Sequence, residues 1–115
     1  MRVELLYMDA DPHYMTARQR LVEVLTEDAF ETTIQMIAVN SIDDARLLDF
    51  RGSPTIRIDG LDIHPEPPVE IGLTLRDYPA DDDAPVAGQP VPSKRLIRAA
   101  VERARGWGHG RVRRP

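Results

Sequence analysis

The sequence predicts an α/β domain with a mixed sheet and flanking helices. Three observations lead there. Runs with strand character alternate with runs of helical period along the first half of the chain. An Asp-Gly pair, Asp59-Gly60, divides two short β-branched runs and marks a hairpin. A last apolar stripe of helical period follows a proline-rich connection. The resulting order is βαβαββα, which requires one parallel crossover and one antiparallel hairpin in the same sheet.

The first strand is read at Arg2–Met8, "RVELLYM", with Val3, Leu5 and Tyr7 on one face and Leu6 and Met8 on the other. A helix is expected next, with Asp11 as its N-cap and Pro12 at its first position, where a missing N–H costs nothing. It continues to about Thr26, and Ala17, Leu21, Val24 and Leu25 form one apolar stripe. The second strand is read at Glu31–Val39, which is β-branched and roughly alternating. Ser41 with Asp44 three residues on resembles a capping box. It opens a short helix whose Ala45, Leu48 and Phe50 face the core and which Gly52 ends. Pro54–Ile58 is the third strand, and Leu61–Ile63 returns after the hairpin. The segment 64–92 is rich in proline and aspartate and reads as a long loop, with a short strand or turn at Glu70–Leu75. Ser93 caps the final helix, whose stripe is Leu96, Ile97, Ala100, Val101 and Ala104 and whose stop is Gly106. The domain is therefore expected over 1–105, with 106–115 a flexible basic tail holding Trp107, His109 and Arg111 to Arg114.

A chain of 115 residues supports one modest core, and 42% hydrophobic with 30% charged residues is ordinary for a globular domain. No apolar run approaches the roughly 20 residues of a membrane span, and the first strand begins without a leader pattern. A cytoplasmic location is expected. A formal net charge of −4 argues against nucleic acid as a partner. The chain has no cysteine, which excludes disulfides, thiolate nucleophiles, zinc–thiolate sites and dithiol redox chemistry.

Two local patterns carry a resemblance. One is the strand-to-helix turn Asp11-Pro12-His13-Tyr14; the other is "FRGSPTIRIDG", Phe50 to Gly60. Together they make the chain resemble the thioredoxin-like fold without its first strand–helix pair. The likeness is greatest to small bacterial thioredoxin-like proteins of the alkylmercury-lyase-associated type, and it covers roughly Arg2 to Arg105. The resemblance implies a cis proline at Pro54, facing the first-helix turn. It also implies that Asp11 stands where the family has its nucleophilic cysteine, Tyr14 where a resolving cysteine would be, and Leu75 where relatives have another. Family redox activity is not carried over.

What remains is a set of readings of one site. Asp11 can be a helix cap and nothing more. The turn and the Ser53-Pro54 loop can instead line a groove, which in thioredoxin-like proteins takes extended peptide beside a free strand edge. Asp11, Pro12, His13, Tyr14, Ser53 and Pro54 are then the binding residues of a redox-inactive accessory protein. The partner would be an unknown protein or small-molecule ligand, and the same groove could form a homodimer contact. A small-molecule-binding or sequestering protein, with the long loop as a lid, is the alternative. A cysteine-free enzyme using Asp11 and His13 as base and acid is more remote, because no nucleophile–base–orienter set is visible. Metal binding by Asp9, Asp11, His13, His64 and Glu66 has the right atom types without helical i, i+4 spacing. No cofactor and no catalytic residue is expected.

Overall fold

A computed structural model describes residues 1–79 and 88–107 of the chain. It is a mixed α/β structure. The elements run β1 (Val3–Tyr7), α1 (Tyr14–Glu27), β2 (Ile34–Ala38), α2 (Ile42–Leu47), β3 (Arg51–Ser53), β4 (Thr55–Ile58), β5 (Leu61–Asp62), β6 (Gly72–Leu75) and α3 (Lys94–Glu102). Past α3 the helix widens into one π-helical turn, Arg103–Trp107, so Gly106 does not end it as expected. The basic residues beyond Trp107, His109 and Arg111 among them, and the acidic run Asp81–Asp83 lie outside the described residues.

Four strands form the main sheet in the order β2-β1-β4-β5. β1 and β2 are parallel, with Leu5 opposite Met36, and α1 makes the crossover between them. β4 runs antiparallel to β1 and to β5. Alternation along β1 divides the core in two. Val3 and Leu5 join Ile56, Ile58 and the stripes of α1 and α3 in the larger cluster. Leu6 turns the other way, to Val39, Ala45 and Phe50 beside α2. The four α1 residues expected in the core, Ala17, Leu21, Val24 and Leu25, are all buried. α1 and α3 pack on one another. Their outer rims are joined by Lys94 Nζ–Glu27 Oε2 at 2.8 Å and Arg98 Nη2–Glu27 Oε1 at 2.6 Å.

The third strand expected at Pro54–Ile58 is β4, and a further short strand, β3, precedes it. Arg51–Ser53 leaves the main sheet and pairs in parallel with β6, the short strand expected near Glu70–Leu75. The chain then passes the cis Ser53–Pro54 peptide and enters β4. Gly52 does not end α2. That position is Asp49, at φ 54°, whose neighbour Phe50 donates from its N–H to Ala45 O at 2.8 Å. Asp tolerates the left-handed region better than most residues, so an apolar-period reading passes over it. Gly52 is required for another reason. Its φ is +107°, and a Cβ there would lie 2.7 Å from Arg76 Cγ.

The hairpin between β4 and β5 is as expected. Asp59 and Gly60 have φ of 53° and 83°, the two positive values that a tight primed turn needs. Asp59 also accepts the Arg2 N–H on Oδ1 at 2.7 Å, which holds the hairpin to the start of β1. Among the described residues no helix is long and apolar enough to cross a membrane.

Candidate functional site

Three consecutive features bring the site residues together. β1 ends at Tyr7, and the chain closes a turn with Asp11 N–H donating to Met8 O at 3.0 Å. Asp11 is then 2% exposed, at the head of α1. It is not the N-cap of that helix. His13 is the cap residue, without a side-chain cap bond, and Pro12 lies outside the first helical turn. The Asp11 carboxylate does two other things. Oδ1 accepts the His13 N–H at 2.8 Å, as short polar side chains do two residues on in a turn. Oδ2 accepts the Ser53 hydroxyl at 2.7 Å. The same Ser53 oxygen accepts the Met8 N–H at 3.0 Å.

The first-helix turn and the Ser53-Pro54 loop therefore meet directly. Asp11, Ser53 and Pro54 are all buried at the contact. Pro12 and His13 are exposed, and Tyr14 is half-buried with its ring stacked on Tyr7 at 4.2 Å between centroids. The surface of the candidate site is thus made by residues 12–14, while Asp11, Ser53 and Pro54 are its support. The strand edge beside Ser53, expected to be free, is taken. Ser53 O accepts the Arg76 N–H at 2.9 Å, and Ser53 lies opposite Leu75 in the β3–β6 register.

Behind Pro54 lies a buried polar network absent from the sequence reading. Arg76 has a fully buried side chain, with Nη1 2.9 Å from Asp62 Oδ2 and 3.0 Å from Thr55 Oγ1. Nη1 also donates to the Tyr78 hydroxyl at 3.3 Å, and that hydroxyl donates to Pro54 O. Thr55 Oγ1 donates to Gly52 O at 2.6 Å. Burial in this setting pushes the Tyr78 phenol well above its ordinary range. Among the described residues Arg76 Nε and Nη2 have no hydrogen-bond partner. His64 sits beside Tyr78, 5.4 Å between ring centroids. Desolvation, with the Arg76 charge adding to it, lowers the His64 pKa from its ordinary value. The signal that could have found this network is a lone Arg and a lone Tyr in the proline- and aspartate-rich segment 64–92.

The possible metal ligands are not gathered. The Asp9 carboxylate accepts from Asn40 Nδ2 at 2.9 Å, and His64 Nδ1 accepts the Glu66 N–H at 2.9 Å. Among the described residues no group of three or more His, Asp or Glu side chains converges on one point.

The observed arrangement defines a cysteine-free mixed α/β chain with a buried carboxylate at the first strand-to-helix turn. Neither a family model, nor a curated protein, nor a solved structure matches the chain.

Proposed function

We propose that this is a redox-inactive protein of thioredoxin-like fold that acts by recognition, as a cytoplasmic binding or accessory protein. The observation that carries the reading is the Ser53 Oγ to Asp11 Oδ2 hydrogen bond of 2.7 Å. It joins the turn at the head of α1 to the loop before β4, the two segments on which the resemblance rests. The strand order β2-β1-β4-β5 and its directions agree with that fold. Asp11 has its hydrogen bonds satisfied inside the protein and is shielded from solvent. A buried, fully bonded carboxylate is a positioning group, and what it positions is the exposed Pro12-His13-Tyr14 surface. A partner would meet that surface through side chains, because the Ser53 main chain is already engaged by β6.

The test is capture of partners by the intact chain and by a His13→Ala/Tyr14→Ala variant. Backbone NMR shifts establish that the variant is folded. A partner held by the parent and lost by the variant, with shift changes confined to residues 12–14 and their neighbours, supports the reading. Retention of every partner by the variant overturns it. Small-molecule binding is the second reading, and a groove at a different place on the molecule favours it.

A further inference from the structure

That groove lies between the β4–β5 hairpin and α3, and encloses about 730 Å³. This is in the range of roughly 300–1,000 Å³ that small-molecule sites occupy. Its apolar wall is Ile58, Leu61 and Ile63 on one side and Leu96, Ala100 and Ala104 on the other. Leu61 is 74% exposed at its mouth, on a strand of only two residues. The hairpin turn that places Leu61 there and the helical stripe of α3 are both well determined by local sequence.

The charges around this wall are unequal in their freedom. Asp62 Oδ2 is 2.9 Å from Arg76 Nη1, and its Oδ1 accepts the His64 N–H at 2.9 Å. Asp59, on the hairpin side, accepts the Arg2 N–H and keeps its charge. His64 is biased toward its neutral form and adds no full charge at neutral pH. Arg103, exposed in the π-helical turn, makes no ion pair or side-chain hydrogen bond with another described residue. On the α3 side of the groove Arg103 is the charged lining residue among apolar ones, and that side complements a molecule with an apolar body and one terminal carboxylate.

We propose that the hairpin–α3 groove binds a medium-chain carboxylic acid, with the chain along Leu61, Leu96 and Ala100 and the carboxylate at Arg103. The site is separate from the Pro12-His13-Tyr14 surface, and the proposal does not rest on that reading. Binding of decanoate to the full chain, followed by calorimetry and by NMR shifts, tests it. Decylamine and decanol serve as cationic and neutral probes of the same length. Decanoate is expected to move the resonances of Leu61, Leu96 and Ala100 and to bind more tightly than either probe. Arg103→Gln is expected to weaken decanoate about fivefold and leave decanol unchanged. Leu61→Asp, at an exposed position that leaves the core intact, is expected to weaken all three. Decylamine binding as well as decanoate, Arg103→Gln without effect, or shifts elsewhere on the molecule would each overturn the proposal.

Discussion

Asp11 is a buried acceptor of two hydrogen bonds, so its replacement has a cost that an exposed helix cap would not show. Asp11→Ala removes both acceptors and leaves the Ser53 hydroxyl and the His13 N–H to find others in a closed space. Unmaking bonds of this kind costs about 2–3 kcal/mol, and Asp11→Asn, which keeps one oxygen and the shape, should cost less. Guanidinium unfolding of the two variants checks the order. No loss in Asp11→Ala would mean that the carboxylate is solvated. The sequence placed Asp11 at the strand-to-helix turn with its carboxylate on a backbone amide there, which the His13 N–H supplies, but it gave neither the true cap residue nor the bond to Ser53. An N-cap is a local inference from Asp-Pro, whereas the Ser53 bond joins residues 42 apart in the chain, which no local pattern encodes.

Elements with a local cause were the legible ones. Ser41 and Ser93 both cap as expected, accepting from Asp44 N at 3.1 Å and Leu96 N at 3.0 Å. Each serine changed to alanine is expected to lower stability by about 1 kcal/mol, measured by thermal or urea unfolding. The hairpin was legible because Asp-Gly determines its own turn. The strand Arg51–Ser53 was not, because it exists only by pairing with Gly72–Leu75, a partner distant in the chain. The salt link between β5 and the segment after β6 is of the same non-local kind. Asp62→Ala leaves the Arg76 guanidinium buried without its carboxylate, at a cost of about 3–5 kcal/mol. The double variant Asp62→Leu/Arg76→Met removes both charges and should recover most of that loss. A double-mutant cycle by denaturant unfolding measures the difference.

For the whole molecule the consequence of His64 is a dependence of stability on pH. Its folded pKa is depressed, so the folded chain binds fewer protons than the unfolded one once pH falls below the unfolded value of about 6.5. Stability contributed by His64 is complete above that value and is lost as pH falls through the folded value. Between pH 6.5 and 5.5 the urea midpoint of the parent should fall, and that of His64→Gln should fall less. Equal slopes would show that His64 is not desolvated. At this scale the sequence indicated a mixed α/β architecture and missed the Arg76 network, since buried ionic pairs leave no period in the chain. It also left open what stands next to Ser53. There β6 lies as an inserted strand of the protein itself, tethered at an effective concentration on the order of millimolar or higher. Any foreign backbone that sought the same carbonyl would have to evict a resident segment. Association by that route would be an exchange reaction, limited by opening of the fold and insensitive to how fast the visitor arrives.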